Sequence, residues 1–296
     1  GRQQLLPVAL IRGRVYPADR GSGAITSLSG ADGFIKIPSS TEFIEAGTPV
    51  EVTLFGEVEK PDLLIAGGFC PGLDLLEDLS GLYFRTLFTS SSGGFSAIAS
   101  NTADIAGVNM PSSDPRGQDG ILYNVPTIEN MGLSGTVLVK GYRREVGLIV
   151  RQDSLVSGIS DLPGKHLINR NRGSGARALL DLKIAEFIAG KGISKKEFTD
   201  SIPGYASGAK SEVAVCEAVA SGKAEVGVGI RNCAEKNGLH FMKFAEEEYD
   251  FLIRKEILET SEVRKFLETL TSTEFASKLT SGLHVYERTG EIISFE

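Results

Sequence analysis

In the stretch "HLINRNRGSGARALLDL", residues 166–182, the hydrophobic period of a strand changes into that of a helix, and this change indicates the fold class. An apolar strand pattern runs into a polar loop at residues 169–174, and a helix rich in Ala and Leu follows without a linker. The first turn of a helix has backbone N–H groups with no acceptor inside the helix, so this junction directs several N–H groups at one point. The stretch therefore predicts an anion-binding loop in an α/β domain.

The same order of strand, glycine-rich loop and helix recurs upstream. "DLLIAGGFCPGLDLLEDL" (residues 62–79) and "LFTSSSGGFSAIASNTADIAGV" (residues 87–108) each begin apolar, pass through a Gly or Ser-rich loop and continue as a helix. Alternation of this kind is typical of α/β layers built on parallel strands.

An internal repeat indicates two lobes of similar construction. "AIASNTADIAGV", from Ala97, aligns with "AVASGKAEVGVG", from Ala218, at an offset of 218 − 97 = 121 residues. Both copies read as the end of a helix, a short turn and an acidic residue that enters a buried strand. Two extended segments, residues 135–154 and 240–256, would carry the chain between the lobes. Two crossings predict a hinge, and a hinge between lobes predicts a cleft.

The first 58 residues have a different hydrophobic pattern. Short alternating or β-branched segments such as "PVALIRG", "AITSL" and "GFIKI" are separated by Gly, Pro and Ser-rich turns, with no helical stretch between them. We expect a small all-β barrel or sandwich at residues 1–58, with a boundary near residues 56–62. The remainder, residues 59–296, is expected to form a type II two-lobed α/β domain. Lobe 1 would comprise residues 59–145 and 238–296, and lobe 2 would comprise residues 146–237.

The composition excludes several classes of protein. With 41% hydrophobic and 23% charged residues, the 296-residue chain has ordinary globular usage for about two domains. A net charge of −7 argues against general attraction to nucleic acid or to a membrane surface. No apolar run approaches the ~20 residues of a membrane span, so we expect a soluble, cytoplasmic protein. Three separated cysteines and three scattered histidines indicate neither a disulfide framework nor a metal site. Since the chain begins with Gly1, we expect upstream sequence.

Two sets of residues resemble known families. "NRNRGSGARALLD", "EAVASGKAEVGVGI" and "YDFLIRKEILETSEVRKFLETLTSTEFASKL" resemble the periplasmic-binding-protein-like domain, in the branch attached to molybdenum cofactor biosynthesis proteins and akin to molybdate and tungstate binders. That resemblance covers about residues 62–296. The ending "HVYERTGEI" is similar to the Tyr-Asp…Thr-Gly ending of the branch, although Val285 precedes the tyrosine and no Asp follows it.

The N-terminal piece resembles a second family. "GSGAITSLSGADGFIKIPSSTEFIEAGTPVEVTLF", residues 21–55, is similar to the C-terminal β-domain of MoeA, the family that inserts molybdenum into molybdopterin, and the likeness covers about residues 5–57. In that family the catalytic centre relies on earlier domains, and nothing in this chain resembles them. The resemblance therefore implies a pathway and no catalytic residues in this chain.

The candidate ligand-binding residues come from three polar loops and one cysteine-containing loop. They are Ser90, Ser91, Ser92, Gly93, Gly94, Arg172, Gly173, Ser174, Gly175, Arg177, Ser207 and Cys70. Hydroxyl and N–H donors at a helix start suit an anion, and an arginine in the first helical turn adds a full positive charge.

Each candidate also has a structural interpretation. The serine loops could serve only as helix caps, and Ser211 is interpreted as structural. Residues 172–177 could be a tight turn with solvated arginines, and Cys70 a small packed residue. Cys216 is expected in the core. The acidic run "EEEYD", residues 246–250, is interpreted as a solvated turn without a metal role.

Three functions are consistent with these features. The leading hypothesis is a sensor or delivery domain that binds molybdate or tungstate between two lobes, with no covalently bound cofactor. The first alternative is the C-terminal part of a molybdopterin molybdenumtransferase whose two-lobed domain binds molybdopterin or its nucleotide adduct, with upstream MoeA domains or a second copy as partners. The second alternative is the effector module of a regulator, which would require a helix-turn-helix that the sequence lacks.

Overall fold

The computed structural model describes residues 3–11, 13–17, 31–58, 60–68 and 70–296, and the chain divides into two compact units, Gly1–Lys60 and Pro61–Glu296. The smaller unit is an antiparallel sheet in the order β2-β1-β3-β4, with β1 (Gln4–Ile11), β2 (Arg14–Pro17), β3 (Gly33–Ile37) and β4 (Thr53–Leu54). Val8 and Ile35 are buried within it. The expected strand "AITSL" lies outside the described residues.

The larger unit contains strands and helices in alternation. Its strands are β5 (Leu63–Gly67), β6 (Phe84–Phe88), β7 (Ile105–Val108), β8 (Pro111–Gln118), β9 (Ile121–Tyr123), β10 (Thr136–Val150), β11 (Leu167–Arg170), β12 (Gly208–Ala209), β13 (Val226–Ile230), β14 (His240–Arg254), β15 (Leu283–His284) and β16 (Ile292–Phe295). Its helices are α1 (Pro71–Ser80), α2 (Ser91–Ala99), α3 (Val125–Met131), α4 (Gly175–Ile188), α5 (Lys195–Asp200), α6 (Glu212–Ala220), α7 (Arg231–Lys236), α8 (Ser261–Leu270) and α9 (Thr273–Lys278), with short 3₁₀ turns at Ile159–Asp161 and Lys255–Ile257.

One sheet runs through both lobes in the order β12-β11-β13-β10-β14-β7-β5-β6. The strands β6, β5 and β7 of lobe 1 are parallel, and so are β12, β11 and β13 of lobe 2. The antiparallel pair β10 and β14 lies between the two parallel sets. The expected two-lobed α/β fold is therefore confirmed.

The two long strands carry the chain between the two lobes. β10 and β14 are paired from Thr136 opposite Arg254 to Val150 opposite His240, with register shifts along the way. The first half of β10 also pairs with β16, whereas its second half pairs with β13. Each strand therefore belongs to lobe 1 at one end and to lobe 2 at the other.

The repeat of 121 residues corresponds to the same structural unit in each lobe. α2 leads into β7, and α6 leads into β13. The acidic residue of each copy accepts a hydrogen bond from a backbone N–H in, or directly before, the first parallel strand of its lobe. Leu64 N donates to Asp104 Oδ2 at 2.9 Å, and His166 N donates to Glu225 Oε2 at 2.9 Å. The acidic residue thus connects helix, turn and strand in both lobes. Among the described residues, no helix combines the length and the apolar character needed to cross a membrane.

Candidate functional site

The N-terminus of α4 offers unengaged donors. Gly173 has φ of 88°, a left-handed conformation that favours glycine, and it turns the chain into Ser174 in extended conformation. Ser174 precedes the helix at the N-cap position, but its side chain makes no capping hydrogen bond. Helical geometry leaves the N–H groups of the first turn without acceptors in the helix. The hydroxyl of Ser174, a residue that is 6% exposed, and the first-turn N–H groups of α4 therefore lie together here.

The N-terminus of α2 is more fully engaged. Ser90 caps the helix by accepting a hydrogen bond from Gly93 N at 3.4 Å, so its capping interpretation is correct. Ser91 is buried, donates from Oγ to Asn109 Oδ1 and accepts from Asn109 N at 3.2 Å. Gly94 is buried in the first turn. The hydroxyl of Ser92, by contrast, points out of lobe 1 toward lobe 2.

The loops of the two lobes touch each other. Both the backbone N and Oγ of Ser92 donate to the carbonyl oxygen of Gly173, at 3.2 and 3.3 Å. A Cβ at position 173 would lie 2.8 Å from Ser92 Oγ, so no larger residue fits without movement. The structure therefore brings together two of the loops that the sequence nominates, residues 90–94 and 172–177.

A second contact between the lobes depends on Gly175. A Cβ at this position would lie 2.1 Å from the carbonyl oxygen of Asn109 and 2.3 Å from its Nδ2. The first residue of α4 therefore packs directly on the end of β7, an approach that only glycine allows.

A buried polar network connects this contact to the crossing strands. Asn109 Nδ2 donates to Glu247 Oε2 at 2.7 Å, and Arg144 Nε donates to Glu247 Oε1 at 2.6 Å. Glu247 is fully buried, and this burial raises the pKa of its carboxyl while the nearby Arg144 lowers it, with a net rise. The guanidinium of Arg144 also lies 4.7 Å from the centre of the Tyr249 ring.

The interpretation of residues 246–250 as a solvated turn is wrong. These residues lie within β14, and Glu247 and Asp250 are both fully buried. Lys140 Nζ lies 2.5 Å from the Asp250 carboxylate and 2.5 Å from that of Glu248. The charges are tolerated because each buried carboxylate has a cationic partner and further hydrogen bonds.

Arg177 is held by protein groups. Its Nε donates to Asp181 Oδ1 at 3.1 Å, and its Nη1 donates to the carbonyl oxygen of Tyr205 at 2.9 Å. The guanidinium also lies 4.3 Å from the centre of the Tyr205 ring. Burial, with the hydrogen bond to Asp181, raises the pKa of Tyr205 to about 12. Arg177 therefore braces the loop that follows α5 as well as contributing positive charge near the α4 N-terminus.

The third nominated loop lies beside the second. β12 pairs with the end of β11, and Asn171 N donates to the carbonyl oxygen of Ala209 at 3.1 Å. Ser207 is exposed in this loop, and Ser211 caps α6 by accepting from Ala214 N at 3.1 Å. The side chain of Glu212, which follows that cap, forms a buried ion pair with Arg170.

Cys70 lies in the core of lobe 1. It is 1% exposed and accepts a hydrogen bond from Tyr142 Oη at 3.1 Å. Its surroundings match the interpretation of a small packed residue. Cys216 is also buried, as expected.

A cavity of about 650 Å³ opens beside the N-terminus of α4 on lobe 2. Its lining is rich in cationic and hydroxyl groups: Arg172, Ser174, Arg177, Lys195, Lys196, Thr199 and Tyr205. Asp181 also lines it and offsets part of the positive charge. The cavity is therefore suited to a ligand with negative charge.

Sequence reasoning missed the buried partners Asn109, Arg144, Glu247, Arg170 and Glu212. One signal was available for Asn109, which directly follows the first copy of the repeat. The others carry no local signal, because an ionisable residue within a strand reads as exposed until its partner is known.

Comparisons with known proteins agree with the two-unit organisation. Residues 1–55 match the model of the MoeA C-terminal region (domain IV), and residues 73–271 match that of the PBP superfamily domain. The uncharacterized protein YvgK of Bacillus subtilis (strain 168) is 30% identical over 179 residues, which are 58% of this chain and 54% of that protein. The chain thus spans about half the length of this curated relative.

Several solved structures are similar at low identity. The regulatory domain of the LysR family regulator NMB2055 (MetR) from N. meningitidis has a TM-score of 0.47 at 16% identity, over 76% of this chain and 98% of that one. The arginine-, lysine-, histidine-binding protein ArtJ from Geobacillus stearothermophilus has a TM-score of 0.46 at 16% identity, over 73% of this chain and 92% of that one. An ABC-type phosphate transport receptor from Vibrio cholerae has a TM-score of 0.44 at 15% identity, over 72% of this chain and 95% of that one.

The family match and the strand order identify the same portion of the chain. The match to the PBP superfamily domain covers residues 73–271, and these residues include most of the sheet that runs through both lobes. Because the match spans more than half of the chain, the chain belongs to the PBP superfamily domain family.

Proposed function

We propose that this chain binds a small oxyanion, molybdate or tungstate, between its two lobes as a sensor or delivery protein of the molybdenum cofactor pathway. The match of residues 1–55 to the MoeA C-terminal region supports the pathway. The chemistry of the loops at the α2 and α4 N-termini supports the ligand.

The observation that carries this proposal is the pair of donors on Ser92. Its N–H and its hydroxyl converge on one oxygen, the carbonyl of Gly173, across the gap between the lobes. An oxygen of a tetrahedral dianion could take the place of that carbonyl when the lobes separate. Ser174 Oγ and the first-turn N–H groups of α4 would then contact the remaining oxygens. A dianion suits this arrangement because the partial positive charge of the helix N-terminus adds to the hydrogen bonds.

The mechanism we propose is binding coupled to hinge motion. The lobes would part about β10 and β14, admit the ion and close again, with hydroxyl and backbone dipoles replacing the water around it. The buried network of Arg144, Glu247 and Asn109 would keep the crossing strands aligned with the α2 N-terminus during this motion.

Calorimetry on the full chain tests the ligand. We expect molybdate and tungstate to bind more tightly than sulfate and phosphate by at least ~1.4 kcal/mol, which is about tenfold in Kd. Equal or tighter binding of sulfate or phosphate would contradict the choice of ligand. Absence of binding by all four ions would contradict the oxyanion site.

The cavity of about 650 Å³ favours a second candidate, a phosphorylated organic ligand such as molybdopterin or its nucleotide adduct. A single tetrahedral ion fills a small part of that volume. Lys195 and Lys196 line the cavity from α5, where they could neutralise a phosphate group, and Lys196 also pairs with Asp200 at 2.8 Å.

One double variant separates the two candidates. Lys195→Ala with Lys196→Ala should leave molybdate binding unchanged if the ion sits only at the helix N-termini. The same variant should weaken molybdopterin binding if the phosphate lies in the cavity. Tight binding of molybdopterin by the wild-type chain, without measurable affinity for any oxyanion, would favour the second candidate over the first.

A further inference from the structure

Two buried thiols meet in the core of lobe 2. Cys216 lies on α6 and Cys233 on α7, and their Sγ atoms are 2.7 Å apart. Cys216 is fully buried and Cys233 is 9% exposed, and both belong to the same apolar cluster. The third cysteine, Cys70, lies in lobe 1 beside Tyr142. The chain therefore holds one thiol pair and one separate thiol.

We propose that Cys216 and Cys233 are a site of reversible oxidation, at which a peroxide converts the two thiols into a disulfide. The sulfur atoms of a disulfide are about 2.0 Å apart, so closure requires an approach of only about 0.7 Å. An approach of this size is within the range of ordinary side-chain adjustment.

The chemistry balances with hydrogen peroxide as the oxidant. One thiol is oxidised to a sulfenic acid, and the peroxide O–O bond breaks with release of one water. The second thiol attacks the sulfenic sulfur, the S–S bond forms, and a second water leaves. Two thiols and one peroxide therefore give one disulfide and two waters.

Cys233 is the better candidate for the first step. It is the more exposed of the two, whereas Cys216 has no exposed surface. The hydrogen bond between the two sulfurs, together with burial, raises the pKa of the Cys216 thiol, which disfavours its reactive thiolate. Cys216 is then placed to resolve the sulfenic acid on its neighbour.

The cross-link would join two helices that touch the proposed ligand site and the hinge. α6 begins at Glu212, whose carboxylate holds Arg170 at the end of β11. α7 begins at Arg231, whose guanidinium pairs with Glu145 on the crossing strand β10. A disulfide at this site would therefore link α6, which contacts the end of β11, covalently to α7, which contacts β10.

The test is a thiol count and a peptide map of the full chain. The reduced protein is treated with hydrogen peroxide, quenched with catalase, denatured, alkylated and digested with trypsin without reductant. We expect two of the three thiols to be lost, and peptide 211–223 to be linked to peptide 232–236. Dithiothreitol should restore all three thiols.

Cys70 provides the internal control because it is buried without a second thiol. The Cys70→Ser variant should form the linked peptide as the wild type does, whereas Cys216→Ser and Cys233→Ser should not. Three alkylatable thiols after a treatment that fully oxidises free dithiothreitol would overturn the proposal. Consumption of Cys70 at the same rate as the pair, without a linked peptide, would also overturn it.

Discussion

Ser174 and Ser211 occupy the same position relative to a helix but make different contacts. The side chain of Ser211 accepts a hydrogen bond from Ala214 N, whereas that of Ser174 makes no capping bond. Ser211 therefore stabilises its helix, and Ser174 is free to serve a ligand. The difference is invisible in the sequence, since both serines precede a helix after a glycine-containing loop.

We expect Ser174→Ala to weaken oxyanion binding by on the order of 1–3 kcal/mol, because a hydrogen bond to a charged ligand is lost. Its free energy of unfolding should stay close to that of the wild type. Ser211→Ala should instead lose about 1 kcal/mol of stability with its affinity retained. Calorimetry and urea unfolding of the two variants check both quantities. Equal loss of affinity in the two would remove the distinction.

Arg177 and Arg172 also differ in their contacts with the rest of the protein. Arg177 is 8% exposed and donates to Asp181 and to the Tyr205 carbonyl, whereas Arg172 is exposed. We expect Arg177→Ala to lower the free energy of unfolding by about 1–3 kcal/mol, because partners of a buried charge are left unsatisfied. Arg172→Ala should change it by less than ~0.5 kcal/mol. If Arg177→Ala unfolds like the wild type yet loses oxyanion affinity, the guanidinium acts on the ligand alone.

At the level of secondary-structure elements, Glu145 forms ion pairs that connect the long strands β10 and β14 to helix α7 of lobe 2. This residue of β10 pairs with Arg231 at the start of α7 and with Lys243 of β14, the latter at 3.1 Å. Burial raises the pKa of the Glu145 carboxyl, but the hydrogen bonds from Arg231 and Lys243 outweigh it and place the pKa below the ordinary value of 4.5. The ionised carboxylate is therefore favoured in the folded state.

A lowered carboxyl pKa contributes stability that is present above the unfolded-state value and is lost as the pH falls through the folded-state value. We expect Glu145→Gln to be less stable than the wild type at pH 7. The difference should start to shrink as the pH falls below 4.5 and should vanish only below the lower pKa of the folded-state carboxyl, where the wild-type side chain is neutral in both states. Urea unfolding of both proteins at pH 7 and at a pH below 4.5 measures the difference in free energy of unfolding.

Glu235→Gln is the matched control for that prediction. Glu235 also pairs with Arg231, at 3.4 Å, but its side chain is 45% exposed. An exposed ion pair contributes only about 0–1 kcal/mol to the free energy of unfolding. A stability difference for Glu145→Gln that is constant across the pH range would contradict the role of its charge.

At the scale of the whole larger unit, two glycines determine how closely the lobes approach. Gly173 packs on Ser92, and Gly175 packs on Asn109, in each case where a Cβ would collide with the other lobe. Small residues at such contacts let the loops of the two lobes meet. They also make lobe closure sensitive to a single methyl group.

We expect the radius of gyration in solution to fall when the wild-type chain is saturated with molybdate, because lobes that open and close about β10 and β14 would be held in the closed form by the bound ion. Gly173→Ala should reduce this change, since its Cβ would lie 2.8 Å from Ser92 Oγ and φ of 88° disfavours any other residue than glycine. Small-angle scattering with and without ligand measures the radius. An unchanged wild-type radius at proven saturation would exclude hinge closure.

The local elements and their order were predictable from the amino-acid sequence. Strand, loop and helix at residues 166–182 follow from hydrophobic period and turn residues, and the 121-residue repeat follows from two similar local segments. These features depend on neighbours within a few residues. For the same reason the positions of the polar loops at the ends of strands were predictable.

Which distant residues share a buried contact depends on the folded chain and could not be predicted from local sequence. Asn109 and Glu247 are 138 residues apart, and Arg144 and Glu247 are 103 apart, yet they form one network. The charge of Glu247 reads as solvated in the sequence, because burial is tolerated only once Arg144 is placed opposite it by the pairing of β10 and β14. The engaged guanidinium of Arg177 depends in the same way on the Tyr205 carbonyl, a partner 28 residues away, whereas the side chain of Ser174 makes no capping hydrogen bond.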